Sequence, residues 1–114
     1  NMEIAEFFLT DLGIQPVKAW NGKEAVEQFA ASPPGTFDAI LMDVMMPVMN
    51  GLDAARSIRA LDRPDAQTVP IFAMTANAFR EDARKSREAG MNEHLSKPLQ
   101  EEELARAIGK YVKT

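Results

Sequence analysis

Residues 40–51, ILMDVMMPVMNG, are apolar almost throughout and carry a single acid, Asp43. An unbroken apolar run marks a strand covered on both faces in a parallel sheet. Taken with Phe37, and interrupted only at Asp38, the run predicts a strand over residues 37–42 that ends by delivering Asp43. A lone Asp behind a strand is commonly a turn or helix-capping residue. Its meaning therefore depends on what else reaches the same edge.

On both sides of this stretch, helical and strand-like patterns alternate. Ile4, Ala5, Phe8, Leu9 and Leu12 recur at helical spacing, which predicts an amphipathic helix over residues 2–12 stopped by Gly13. Residues 15–20 read as a short strand. Asn21-Gly22 then opens a second helix with Ala25, Val26 and Phe29 on one face, ended by Ser32-Pro33-Pro34-Gly35. Gly51 begins a third helix marked by Leu52, Ala55 and Ile58. A polar loop over residues 61–67 leads to an apolar run over 69–74, where Pro70, lacking a ladder donor, belongs at the strand's beginning.

A fourth helix is predicted over about 78–89, with Phe79, Ala83 and Ser86 on one side and Gly90 as its cap. A short strand over about 93–96 follows. The last helix turns Leu104, Ala107, Ile108 and Tyr111 inward, and its Glu101, Glu102 and Glu103 stand where the helix dipole favours acids. Alternation of this kind implies an α/β domain with a mostly parallel sheet and right-handed crossovers. The series starts with a helix, so the strand that would precede it is absent from these residues.

The whole-chain properties agree with one globular domain over residues 1–114. The chain is 46% hydrophobic and 26% charged, and 114 residues suffice for one core but not two. Thirteen basic against seventeen acidic side chains give a net charge of -4, which argues against direct nucleic-acid binding. No apolar run approaches the roughly 20 residues of a spanning helix, so no membrane contact by this domain is expected. There is no cysteine, which excludes disulfides, thiolate metal sites and cysteine nucleophiles, and His94 is the only histidine. Met42, Met45, Met46 and Met49 lack companion soft ligands and read as core and loop filler rather than a metal site.

In an open parallel sheet, ligands bind beyond the carboxyl ends of the strands. Asp43, Thr75 and Lys97 follow three successive strand patterns, so a carboxylate, a hydroxyl and an ammonium converge on one edge. These groups suit phosphoryl transfer. A carboxylate can form an acyl phosphate, while a lysine and a magnesium ion offset the phosphoryl charge. With an effective dielectric of about 20, a unit charge pair at about 4 Å is worth roughly 4 kcal/mol, which makes Lys97 important to a bound dianion. The plainer roles for Thr75 and Lys97 are a helix cap and a solvated strand-end charge.

Four motifs in order then carry a resemblance. They are Ala19-Trp20-Asn21-Gly22-Lys23-Glu24-Ala25, the stretch from Leu41 to Gly51, Met74-Thr75-Ala76-Asn77-Ala78, and Gly90-Met91-Asn92-Glu93-His94-Leu95-Ser96-Lys97-Pro98. The chain resembles the receiver domain of two-component response regulators from Asn1 almost to Thr114, and most of all those attached to hybrid sensor histidine kinases. The resemblance implies a flavodoxin-like doubly wound sheet of strand order 2-1-3-4-5. It also implies that Asp43 is the phosphoacceptor, that Thr75 is the switch hydroxyl, that Lys97 contacts the phosphoryl group, and that the Asp43 carboxylate and the Met45 backbone carbonyl help bind Mg²⁺.

A histidine kinase or histidine phosphotransfer domain is the implied donor, in a domain that assists its own phosphorylation and dephosphorylation. A cytoplasmic location and a cis peptide between Lys97 and Pro98 are implied as well. Two departures stand out. His94 occupies a switch position that usually holds an aromatic ring. The acidic pair that completes the metal site, and the strand before it, would precede Asn1; the stretch is thus expected to be N-terminally truncated, with weakened magnesium binding and with strand swapping or dimerisation as a way to fill the sheet.

Two other readings compete. A receiver-like docking module that is never phosphorylated would share the fold but take up no phosphate. A flavodoxin-like flavin binder would need a Ser/Thr/Gly-rich phosphate loop after a strand, which the sequence lacks. A catalytic acid/base role for His94 has only the ordinary imidazole pKa in its favour. A surface switch residue on the face carrying Ala76 and Phe79 fits it better.

Overall fold

The computed structural model describes residues 2–19, 21–43, 49–75, 80–96 and 99–112. Its elements in chain order are α1 (Met2–Asp11), α2 (Gly22–Ala31), β1 (Ile40–Asp43), α3 (Gly51–Arg59), β2 (Ile71–Thr75), α4 (Arg80–Glu88), β3 (Glu93–Ser96) and α5 (Glu101–Tyr111). The three strands form one parallel sheet in the order β1-β2-β3. Ile40 pairs with Ile71 and Asp43 with Met74, while Phe72 pairs with Glu93 and Thr75 with Ser96.

Strand alternation sorts the side chains into two cores. Ile71 and Ala73 point to the face covered by α2 and α3, where they meet Phe29, Ala54, Ala55, Ile58 and Met42. Phe72 and Leu95 point to the other face, against Leu104 and Ala107 of α5, with Phe8 and Leu9 of α1 packed alongside. Helices thus cover both sheet faces, the doubly wound arrangement the alternation predicted. Full burial of Phe29, Phe72, Ile58, Ile71, Leu95 and Leu104 stabilises the fold by about 1.5–3 kcal/mol for each side chain.

Local chemistry fixes where these helices begin. The Asn21 side chain accepts a hydrogen bond from Glu24 N at 2.9 Å, and Asn50 accepts one from Asp53 N at the same distance, so each asparagine caps the helix behind it. Pro70 precedes β2, as its missing donor requires, and Gly90, at φ 99, adopts the left-handed backbone that ends the turn after α4. Arg59 clasps that turn. Its guanidinium donates to Gly90 O at 2.8 and 2.9 Å, to Asn92 Oδ1 at 2.8 Å and to Ala66 O at 3.1 Å. Asn92 Oδ1 also accepts from Ile71 N at 2.9 Å, which ties α3 to the starts of β2 and β3.

Three expectations need correction. The strand predicted over residues 15–20 does not form: residues 15–19 have no regular structure, and Val17 is 63% exposed. A strand exists only through its ladder, and in the order 2-1-3-4-5 the partner of this segment is a strand that the described residues do not contain. For the same reason α1 is less covered than its pattern implied. Ala5 is buried and Phe8 and Leu9 are packed, but Ile4 and Leu12 are exposed, as is Phe7 at 65%. β1 is also shorter than predicted at its start, and Asp43 is its last residue rather than the one after it.

Candidate functional site

The site is built on the carboxyl ends of β1 and β2. Asp43 closes β1 and pairs with Met74, so Thr75, the next residue of β2, lies one step further along the neighbouring strand. Neighbouring strands run about 4.8 Å apart, which brings this carboxylate and this hydroxyl to a common edge. Asp43 is half-buried and Thr75 is 7% exposed. Ser96, the register partner of Thr75, ends β3 at the same edge. Lys97, Pro98, Met45, Ala76, Phe79 and Trp20 fall outside the described residues.

Side-chain alternation adds a relation that spacing in the sequence did not reveal. His94 pairs with Ala73 and Ser96 with Thr75, so Thr75 and His94 share one sheet face, the face covered by α2 and α3. His94 does not behave as the exposed surface residue expected of it. The ring is half-buried, both of its nitrogens are shielded from solvent, and neither has a hydrogen-bond partner among the described residues. The cause is its position in β3 beneath α4, beside Ser86, Arg87 and Met91.

The entry to α3 is held from the side of α2. Gly22 N donates to Met49 O at 3.1 Å, and a Cβ on Gly22 would stand 2.3 Å from that oxygen and 3.2 Å from the Ala54 Cβ. Glycine is therefore required here for the close approach of two backbones. Met49 leads into the Asn50 cap of α3, so this contact fixes the entry to that helix. The Asn21-Gly22 pair carried the signal, but its reading as a helix start concealed this second task. Arg59 was also missed, because nothing local distinguishes a clasping arginine from a solvated one.

Elsewhere the charges serve the fold. Arg63 pairs with Asp65 at 2.6 Å and lies 4.4 Å over the Phe29 ring. The Arg63 guanidinium holds the Asp65 carboxyl below the usual carboxylate range, assisted by a hydrogen bond from Gly35 N. The carboxyl of Glu101 is held above that range chiefly by its side-chain hydrogen bond with Asp11, so one of the three acids at the start of α5 faces a like charge. Among the described residues no group of three His, Cys, Asp or Glu gathers as a ready metal cage, and no helix is long and apolar enough to cross a membrane.

Comparison with known proteins gives a consistent set of relatives. Residues 1–109 match the family described as the response regulator receiver domain. Hybrid signal transduction histidine kinase L of Dictyostelium discoideum is 34% identical over 114 residues, covering 99% of this chain and 7% of that protein. Sensor protein GacS of Pseudomonas syringae pv. syringae is 36% identical over 112 residues, 97% of this chain and 12% of that protein. The chain thus spans only a small part of these relatives. Among solved structures, the receiver domain of a sensor histidine kinase from Pseudomonas aeruginosa PAO1, with a magnesium ion coordinated in its active site cleft, superposes with a TM-score of 0.86 at 37% identity. That match covers 97% of this chain and 87% of the other.

Proposed function

Because this chain belongs to the response regulator receiver domain family, we propose that Asp43 accepts a phosphoryl group from a phosphohistidine of a histidine kinase or histidine phosphotransfer domain. Thr75 and His94 then convert that event into a change of surface. The observation that carries this reading is the placement of Asp43 and Thr75 at the carboxyl ends of adjacent parallel strands. The sensor kinases among its relatives favour a place in a phosphorelay.

In the transfer, a carboxylate oxygen of Asp43 attacks phosphorus, the P–N bond of the phosphohistidine breaks, and the donor imidazole leaves with the electron pair and takes up a proton. Lys97 supplies an ammonium for the phosphoryl oxygens. Thr75 donates its hydroxyl to one of them. Mg²⁺ usually keeps several waters and is held by one or two carboxylates together with phosphate oxygens, so a strand-end carboxylate is a fitting donor. Asp43 and the Met45 carbonyl would hold the ion, which offsets charge on the phosphoryl oxygens when bound.

The acquired charge of about -1.5 to -2 draws Thr75 toward it and biases the segment between β2 and α4. A ligand shifts such an equilibrium only by its differential interaction with the two states. The outer edge of β1 has no strand neighbour among the described residues, and an extended segment of a second copy would dimerise the chain by pairing there. Sedimentation at rising protein concentration tests that association.

Incubation with a small acyl-phosphate donor and Mg²⁺ tests the main assignment. One phosphoryl group per chain, lost in Asp43→Asn with the fold intact, is the expected result. Labelling of another residue would overturn the assignment of Asp43, and no uptake at all would favour the docking module. Thr75→Ala should keep the label but blunt the change in amide chemical shifts.

A further inference from the structure

Asparagine followed by glycine occurs twice in the chain, at Asn21-Gly22 and Asn50-Gly51, and both pairs open a helix. Asparagine is a thermolabile residue. A glycine behind it leaves the next peptide nitrogen unshielded by a Cβ, so that nitrogen can reach the side-chain carbonyl carbon. By sequence alone the two pairs are alike. Both glycines are also buried, so the difference between the pairs lies in their bonds.

Asn21-Gly22 is locked. Gly22 N, the nitrogen that would attack, donates to Met49 O at 3.1 Å. The Asn21 amide is held through both of its polar atoms: Oδ1 accepts from Glu24 N at 2.9 Å, and Nδ2 donates to Glu24 Oε2 at 3.3 Å. Bringing Gly22 N beneath the Asn21 Cγ means turning the intervening peptide away from its extended setting at ψ 173. That turn breaks the bond to Met49 and shifts a residue packed against the Met49 backbone and the Ala54 Cβ.

Asn50-Gly51 is held by less. Asn50 is exposed, and its side chain makes one bond among the described residues, the exposed cap from Asp53 N at 2.9 Å. Gly51 N stands at the first position of α3, where a helix leaves its N–H groups without an internal partner. At ψ 167 this peptide must turn as well, but the turn opens a solvent-facing cap at a helix end, the kind of opening that costs least.

We propose that Asn50 is a site of spontaneous self-modification in the folded chain, and that the fold protects Asn21 from the same reaction. Gly51 N loses its proton and attacks the Asn50 Cγ. The Cγ–Nδ2 bond breaks, the departing nitrogen takes up a proton and leaves as ammonia, and a five-membered succinimide closes. Water then opens the ring at either carbonyl, giving aspartate or, with the main chain rerouted through Cβ, isoaspartate. Each product adds one negative charge at the start of α3. Aspartate still caps the helix, and its charge suits the positive end of the helix dipole. Isoaspartate lengthens the backbone and carries the carboxylate away from Asp53 N. The reaction needs only water, and it stands whether or not Asp43 is ever phosphorylated.

The experiment ages the chain at mildly alkaline pH, which favours loss of the amide proton, and follows the mass of each asparagine peptide after digestion. The expected result is conversion at Asn50 and a rate roughly tenfold or more lower at Asn21, where further hydrogen bonds must open before the ring can close. In concentrated urea the two rates should become alike. Equal rates in the folded chain, faster conversion at Asn21, or an Asn50 that stays intact while the urea-unfolded chain converts would each overturn the proposal. A contrast that persists in urea would do the same, because its origin would then be the sequence and not the fold. Asn50→Asp should melt at or above the parent midpoint and the isoaspartyl fraction below it; the reverse order would overturn the account of the cap.

Discussion

Replacing Gly22 by alanine is the sharpest probe of how the entry to α3 is held against α2. The new Cβ would sit 2.3 Å from Met49 O, 3.0 Å from Met49 C and 3.2 Å from the Ala54 Cβ. Two of these neighbours are backbone atoms, which cannot swing aside as a flexible side chain would. Even a contact of 3.0 Å to the oxygen requires α2 and Met49 to part by about 0.7 Å, and that opens the 3.1 Å hydrogen bond from Gly22 N.

Inserting a methyl group into a packed site costs about 1–3 kcal/mol, and losing the hydrogen bond adds about 0.5–1.5 kcal/mol. The better helix propensity of alanine returns at most about 1 kcal/mol. The variant should therefore be about 0.5–3.5 kcal/mol less stable. At roughly 4 °C per kcal/mol for a chain of this size, that lowers the melting midpoint by about 2–14 °C. Gly109 supplies the control, since it lies inside α5 with nothing within 4 Å of an added Cβ. Gly109→Ala should raise the midpoint. Thermal unfolding followed by circular dichroism measures both, and the Met49 and Asn50 amide shifts report the entry to α3. A Gly22→Ala protein that melts with the parent and leaves those amides in place would refute the close-approach reasoning.

Other expectations follow from the same contacts. Arg59→Ala frees the turn after α4 and should cost about 1.5–3 kcal/mol, as hydrogen bonds from a charged donor typically do; denaturant unfolding measures it, and hydrogen exchange at Asn92 and Ile71 should quicken. Because the folded Asp65 carboxyl titrates below its unfolded value, its ion pair stabilises the protein above the unfolded pKa, and that contribution fades as pH falls through the folded one. Asp65→Asn should flatten the melting curve below about pH 4. Glu101 has the opposite sign: its folded pKa is raised, so it disfavours the fold once pH rises through that value, and Glu101→Gln should raise the melting midpoint at pH 7 relative to pH 4. Leu104→Ala empties a fully buried position and should cost about 2–5 kcal/mol, measured by denaturant unfolding.

What the sequence made legible divides along physical lines. Helix faces and covered strands announce themselves through periodicity, so Phe29, Ile58, Leu104 and the run around Met42 were assignable without coordinates. The carboxyl-edge position of Asp43 and Thr75 followed from strand ends and the rule for parallel sheets. Residues 15–20 were misjudged because their pattern is local, whereas a strand is a property of two chains of hydrogen bonds. Burial of the His94 nitrogens was equally hidden, since it depends on α4 crossing above β3. The Arg59 clasp joins groups 31 and 33 residues apart, and a contact of that span leaves no local trace.

The chain order of the strands also bears on how the molecule assembles. Each crossover joins immediate neighbours, with Ile40 to Ile71 closing 31 residues and Phe72 to Glu93 closing 21. Loop-closure entropy grows only as the logarithm of length, so the two pairings differ by roughly 0.3 kcal/mol. Neither β1 nor β3 thus has a marked kinetic lead, and β2 serves as the template for both. We expect the transition state for folding to be organised around β2, with conservative truncations at Ile71 and Phe72 slowing folding more than equal losses in α2 or α5. Stopped-flow refolding of Ile71→Val beside Ile108→Val measures the contrast, and equal φ-values at the two sites would remove β2 from that central place.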